Sequence, residues 1–527
     1  MRKNIVILLT EITAVLLMVF NVLPRELSFF ITGLLIFYFI FSPIKDSLWV
    51  FIASIPLFVA LPITESFDTM ANWRILIIVL FLVLFFKEGI SIKLIRNEFG
   101  RLALKEKFKH YQMEYLLGIF ILIAVLSLFV ADNLFIGIKK IIFLVNIFLL
   151  YIIIRNLAFR NKDVLIKIIS AMKVAFGFVL GIGFLQLIMV FFINLHKFWY
   201  LWDRNVINVF YGIDLSNLLS YSNTWFSYYS YQLPTLRMFS VFPDSHSFAF
   251  FCILSLPLLL TPIFLRRKEG KKRAFFLYLG LIGILLAIIF SGSRGSWASA
   301  FAVFFFFLIV ILLYFSPAIN SWTKFFIPVF KEKWSKKIQL IIGSFIIFFI
   351  LFPIASAILF MPQYIELGRD SISNFSLFER ARSIMDFVET SVKGRLEIWQ
   401  RTVDSIIIHP LLGVGIGNFP LVLNEDFVFS KRGSSAHNLY LDFAAEMGVF
   451  ALLILLVIFW KIFKRSWYFL NDKIKGNSSY LNVWTGFFAI AFLWILGYSL
   501  FDVVLFNDKV LLFFTVNLAI LYSYEKK

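Results

Sequence analysis

The sequence predicts an all-α fold: a polytopic helical membrane bundle of roughly 12–14 transmembrane helices, with both termini cytoplasmic and one large extracytoplasmic loop containing amphipathic helices. Three observations predict it. The 527 residues are 61% hydrophobic and 19% aromatic but only 15% charged, and the mean hydropathy of +0.89 lies outside the range of soluble domains. Apolar runs of roughly 16 to 25 residues match the length a helix needs to cross about 30 Å of hydrocarbon, without the period-2 alternation of a barrel. The net charge of +19 sits mostly in short segments between those runs. Such a distribution speaks for topology and anionic headgroups and against nucleic acid as a partner.

In order, the runs fall near 4–22, 28–42, 47–63, 73–87, 114–131, 135–155, 165–195, 247–265, 273–290, 296–315, 338–360, 438–463, 482–501 and 509–524. The first has a basic start and no small-residue cleavage site, so it reads as a retained span. The single cysteine, Cys252, lies inside a run and excludes an intrachain disulfide. Basic clusters at 1–3, 87–110, 155–163, 266–273, 324–337, 461–467 and 525–527 fall on one side if the spans alternate, and the positive-inside rule makes that side cytoplasmic. The chain then divides into N-terminal transmembrane helices (1–195), an extracytoplasmic aromatic-rich loop (196–246), transmembrane helices that include the SGSRG link (247–360), a large extracytoplasmic catalytic loop (361–437) and C-terminal transmembrane helices (438–527). Tyr, Trp and Ser in the 196–246 interval suit either a headgroup belt or stacking on sugar rings. Within 361–437 the stretch RLEIWQRTVDSIIIHP has apolar residues at helical spacing, which predicts an amphipathic helix on the membrane face ended by His409 and Pro410.

Chemistry belongs in the polar intervals. The chain has no HExxH, no paired cysteine ligands, no P-loop and no D-x-D, so no metal and no cofactor is expected. GVGIGNF at 413–419 lacks the strand-turn-helix context of a dinucleotide fingerprint and reads as a tight turn for close backbone approach. Arg294 stands in the short SGSRG link between two spans. There it either snorkels from a helix end or, flanked by Gly and Ser and by the amides of a new helix, meets an anion. Arg395 precedes the amphipathic helix with Arg401 further along it, and a guanidinium fork matches phosphate oxygens; the alternative is a solvated helix face. His437, at the start of a span, is mostly neutral near pH 7 if unperturbed and able to accept a proton from a hydroxyl. Asp442 and Glu446 share a helix face with each other but not with His437, so they are weak candidates for orienting it.

Taken together, SGSRGSW, then GRLEIWQ with HPLLGVGIGNF, then AHNLYLDFAAEMGVF, in that order around a large loop, resemble the O-antigen ligase and polymerase superfamily of bacterial envelope glycosyltransferases. RMFSVFPDSHSFAFF at 237–251 resembles that family's upstream Arg-containing external segment, departing from it at Pro243 to Ser247. The resemblance implies a metal-independent transferase of the bacterial inner (plasma) membrane. It would take a glycan from undecaprenyl diphosphate on the periplasmic or outer face and pass it to a glycolipid, glycan or protein acceptor. It implies further that Arg294 and Arg395 bind the diphosphate and that His437 is the base; Arg237, Arg401 and Asn438 are added as substrate-binding candidates. Diphosphate is a good leaving group once its charge is stabilised, so one base and two cations suffice without the paired carboxylates of a glycosidase. Ligation, polymerisation and protein glycosylation share this donor chemistry and stay open. The non-enzyme alternative is a polysaccharide or lipid transporter, against which the mid-span charges Glu11, Lys139, Lys140 and Lys173 form no obvious pair in the sequence.

Overall fold

The structure, a computed structural model, describes residues 2–64, 67–89, 111–220, 224–229, 232–265, 270–315, 334–367, 390–424, 435–471 and 480–523. Most of the basic clusters at 87–110, 266–273 and 324–337, the terminal 525–527, and the parts of the expected catalytic loop at 368–389 and 425–434 lie outside the described residues.

The described chain is almost wholly helical. The helices are α1 (Arg2–Val19), α2 (Leu27–Phe41), α3 (Ile44–Ala53), α4 (Trp73–Val83), α5 (Gln112–Leu126), α6 (Leu134–Arg160) and α7 (Asp163–Met189). The short α8 (Leu195–Leu201), α9 (Asn208–Tyr211) and α10 (Ile213–Ser220) follow, then α11 (Ser245–Leu265), α12 (Lys271–Phe290), α13 (Arg294–Phe315) and α14 (Trp334–Leu367). The last are α15 (Thr390–Ile408), α16 (Leu439–Asn471), α17 (Tyr480–Tyr498) and α18 (Asp508–Ser523). Two antiparallel hairpins complete the described strands: Ala60–Leu61 with Met70–Ala71, and Phe226–Tyr229 with Gln232–Leu236.

Every apolar run in the sequence coincides with a helix, but among the described residues eight helices are long and apolar enough to cross a membrane. The difference from the expected number lies in short elements. α3 has 10 residues and is followed by a 3-10 turn carrying Pro56, and α4 has 11. α11 is buried over most of its length and packs chiefly on α12, α17 and α18, which makes it the axis of the C-terminal half.

The described residues of the interval 196–246 form short helices and a hairpin, and several of its aromatic residues, though not the exposed Tyr200, serve packing. Trp225 is fully buried, stacks on Phe239 at 4.9 Å and donates from Nε1 to the Pro243 carbonyl at 2.8 Å. Phe198 stacks on Trp202 beneath it at 5.3 Å. For these side chains the structure corrects both readings of the sequence: they face the protein interior, where the indole N–H is satisfied, and neither lipid headgroups nor a sugar reaches Trp225.

One junction joins the two halves of the chain. The helical course of α16 is broken at Gly448, with φ +83°, and Gly413 in the facing turn has φ +64°. These conformations let the two backbones touch: Val449 N donates to Pro410 O and Val414 N to Ala445 O, each at 2.9 Å. A Cβ at Gly448 would overlap the Leu411 carbonyl oxygen, so glycine is required there. Just before the break, the Glu446 carboxylate accepts from Lys140 Nζ of α6 at 2.7 and 2.9 Å and from Gly417 N at 3.0 Å. Lys140 therefore has a partner 306 residues away that the sequence did not reveal.

Two outcomes are expected in detergent. Gly448→Ala lowers the unfolding temperature sharply, whereas Gly343→Ala, where a Cβ meets nothing within 4 Å, leaves it unchanged or slightly raised; fluorescence-detected thermal unfolding measures both. Glu446→Gln destabilises the protein because it strands the Lys140 ammonium, and adding Lys140→Met to it recovers part of the loss, read as a shift of the same melting curve.

Candidate active site

The α15 helix forms and ends at Ile408, just before His409 and Pro410, but it starts at Thr390, so Arg395 lies within it and not ahead of it as the sequence suggested. Ile398 and Ile406 on one face pack on a small cluster of Phe419, Val422, Ala436 and Ala445. Trp399 Nε1 donates to the Ala436 carbonyl at 2.9 Å, so the helix that carries Arg395 is tied to the residue before His437.

His437 sits in a neck that is clamped on all sides. Asn438 caps α16, its Oδ1 accepting from Tyr440 N at 3.0 Å and Leu441 N at 3.3 Å. Asp442 Oδ1 accepts from Ala436 N at 2.9 Å, and Leu439 N donates to Ser499 O at 2.9 Å. Held this way, His437 takes φ +48°, a left-handed conformation that costs a residue with a Cβ on the order of 1 kcal/mol or more. Its Nδ1 is buried and has no hydrogen-bond partner. Burial first, and then the nearby Arg395 guanidinium, push its pKa down to about 4, so the imidazole is neutral at physiological pH. Arg395 is half-buried and has no ion-pair partner among the described residues.

Arg294 opens α13, half-buried, between two residues that face one turn. Ser293 Oγ lies 2.6 Å from Tyr498 Oη, and Gly295 fits against Phe501 and Tyr498, where an added Cβ would stand 2.9 Å from Phe501 Cβ. Arg237 lies over Gly292 of the same link, whose φ of +63° leaves room for it: a Cβ there would come within 3.1 Å of Arg237 Cγ. Its Nε donates to Ser227 Oγ at 3.1 Å.

The turn after α17 is the common neighbour. It touches the SGSRG link through Tyr498 and Phe501 and the neck of His437 through Ser499, and Asp502 in it feels the charge of Arg395. It is thus bordered by the neck of His437, by Arg395, and by the SGSRG link that carries Arg294 and is overlain by Arg237. Arg401 is turned away, exposed, with Nη1 on the Leu423 carbonyl at 3.2 Å, and the Asn438 side-chain oxygen is engaged in the helix cap. Asp442 does not orient the His437 ring; it fixes the backbone one residue earlier.

Sequence reasoning set His246 aside because the chain departs from the family pattern at Pro243 to Ser247, and it passed over Ser293, Tyr498 and Asp502. His246 Nδ1 is 3.0 Å from both Ser293 Oγ and Tyr498 Oη and 3.6 Å from Asp502 Oδ2. Burial pushes Asp502 up to about 6 against the pull of Arg395, and it pushes Asp244 up to about 6 against its bonds from Ser247. The available signal was a lone carboxylate and a tyrosine closing an apolar run at GYSLFD.

Chemically, the gathered set offers guanidinium groups for an anion and a neutral imidazole with a free ring nitrogen. Among the described residues no group of three or more His, Cys, Asp or Glu is placed to hold a metal ion. No curated protein matches the chain. A family model described as O-antigen ligase matches residues 279–456, a segment that includes Arg294, Arg395 and His437 but not Arg237, His246, Tyr498 or Asp502. This match supports the O-antigen ligase superfamily for a chain whose apolar helices make it a multi-pass membrane protein.

Proposed function

We propose that the chain transfers a glycan from undecaprenyl diphosphate to an acceptor hydroxyl on the extracytoplasmic face of the bacterial inner (plasma) membrane, as an O-antigen ligase does. The observation that carries this is the pairing of Arg395, a half-buried cation without an ion pair among the described residues, with neutral His437, whose buried Nδ1 has no hydrogen-bond partner. The neutral His437 imidazole takes the proton of the acceptor hydroxyl as its oxygen bonds the anomeric carbon. The bond from that carbon to the diphosphate breaks, and its electron pair leaves on the diphosphate, whose charge Arg395 and Arg294 neutralise. Two cations supply the stabilisation, so the reaction runs without a divalent ion and continues in excess chelator.

The acceptor is a sugar hydroxyl of a glycolipid in this reading. A growing glycan, as in a polymerase, or a protein hydroxyl fits the same site, and the description of the matched segment favours ligation. The transporter reading has less support, because Lys140 and Glu446 satisfy each other and Glu11 bonds Ser54.

The low pKa of His437 has a consequence that separates its causes. Arriving diphosphate offsets the Arg395 charge, so the imidazole becomes a stronger base when the donor is bound. His437 must be neutral to act, so activity is retained at high pH and lost as pH falls through its pKa. The acidic limb of kcat/KM, which reports the free enzyme, is expected near the value of about 4 set by burial and Arg395. The limb of kcat, which reports the donor complex, is expected at higher pH, and Arg395→Gln should raise the limb of kcat/KM. His437→Ala should lose on the order of 10²- to 10⁴-fold in rate with membrane insertion intact. Near-parental turnover in that variant removes His437 from the mechanism.

If Arg294 and Arg395 grip one diphosphate, replacing either with Lys keeps charge but loses the planar fork, and transfer falls in each single variant. Their effects should be non-additive, with the double variant little worse than the worse single one. Assays with a lipid-linked donor at matched protein levels decide it: full turnover in Arg294→Lys returns that residue to a snorkelling role.

A further inference from the structure

His246 lies outside the matched segment and takes no part in the chemistry proposed above, yet it stands at the centre of the tightest polar cluster beside the site. Its Nδ1, Ser293 Oγ and Tyr498 Oη form a triangle with sides of 3.0, 3.0 and 2.6 Å. With the imidazole hydrogen assigned to Nε2, Nδ1 accepts the proton of one hydroxyl while the other proton lies between the two oxygens. Removing that acceptor leaves one buried hydroxyl proton without its place.

The triangle reaches the site through Ser293. Ser293 Oγ also faces Ser296 N at 3.4 Å, the N-cap position of the helix whose first residue is Arg294. Ser293 therefore has its rotamer fixed from two sides, by the helix it caps and by the His246–Tyr498 pair. His246 is itself held at the head of α11, where Asp244 accepts from Ser247 N at 2.6 Å and from Ser247 Oγ at 2.7 Å. The chain thus runs from a rigid, buried helix through an imidazole and a capping hydroxyl to the residue beside Arg294.

We propose that His246 is a positioning residue: as the hydrogen-bond acceptor that locks Ser293 and Tyr498, it fixes the SGSRG link so that Arg294 faces the donor diphosphate. This rests on the reading of Arg294 as a diphosphate ligand. Asparagine places an amide oxygen near the position of Nδ1 and keeps an acceptor there, whereas alanine does not.

The test uses the purified full chain with a lipid-linked donor, measuring kcat and donor KM for His246→Ala, His246→Asn, Tyr498→Phe, Arg294→Ala and the His246→Ala/Arg294→Ala pair. Misplacing a charge by about 1 Å costs on the order of 10²-fold, so His246→Ala is expected to lose about that much in kcat/KM for the donor. His246→Asn recovers most of the activity. Tyr498→Phe keeps the ring stacked on Phe250 at 5.6 Å while removing the hydroxyl, and it should share part of the loss. The double variant should be no worse than Arg294→Ala alone. Parental activity in His246→Ala, equal losses in His246→Asn and His246→Ala, or losses that add to that of Arg294→Ala overturn the proposal. Full activity in Arg294→Ala overturns it together with the diphosphate role of Arg294, which distinguishes the two failures.

Discussion

The site depends on the contact between two strained backbones, the Gly413 turn and the break in α16 at Gly448. An unbroken helix has no free amide at residue 449 and no room for the Leu411 carbonyl. With φ at +83°, Gly448 supplies both, and Val449 N takes up the Pro410 carbonyl at 2.9 Å. α15, which ends two residues before Pro410, is thereby fixed against α16, and Arg395 is carried to His437 at the other end of the same assembly. Glu446 ties this junction to α6, since one carboxylate satisfies a lysine of the N-terminal half and an amide of the glycine turn. In an apolar bundle such a carboxylate is stable only when its lone pairs are filled, which is why one buried group can hold three segments.

Electrostatics on the far side of that junction run the other way. The carboxylates beside the site are buried and hold a proton more tightly than usual: Asp502 and Asp244 are each pushed up to about 6, and both are still mostly ionised near neutral pH. Arg395 is left without an ion-pair partner among the described residues, and His437 stays neutral beside it. A guanidinium without an ion pair keeps its charge for an incoming anion. The positive φ of His437 is the backbone counterpart: a strained residue held by an Asp, an Asn cap and the Ser499 carbonyl, with its ring nitrogen free.

The helices were legible because hydropathy is a local property, and each apolar run is a helix in the structure. The amphipathic α15 was legible for the same reason, down to its end at His409 and Pro410. What sequence reading missed is long-range pairing. Lys140 and Glu446 look like isolated charges 306 positions apart, and His246 meets Tyr498 across 252. Arg401 shows the opposite limit: residue type makes it a phosphate candidate, while a carbonyl at Leu423 turns it aside. Trp225 was misread because an aromatic, Ser-rich composition suits both an interface and a core, and only the partners of its indole N–H distinguish them.

The depth of the site follows from the same junction. The outer face of α15 carries Val403, Ile407 and Ile408 uncovered by protein, and the turn adds Leu411. Pro410 is bonded to Val449, where the exposed apolar face of α16 begins with Val449, Phe450 and Leu453. The two uncovered surfaces are continuous, and a surface of that composition on a membrane helix is covered by lipid. The stretch from Gly448 back to Leu439 rises about 1.5 Å per residue, so His437 stands about 14 Å along the helix from the level where lipid contact starts. On the proposed reading of Arg395 as a diphosphate ligand, a polyprenyl tail lying along this apolar surface brings its diphosphate towards Arg395 without leaving the bilayer. This vertical order, apolar wedge below and cations with a neutral imidazole above, suits an amphiphilic donor better than a soluble nucleotide sugar, which would have no use for the wedge.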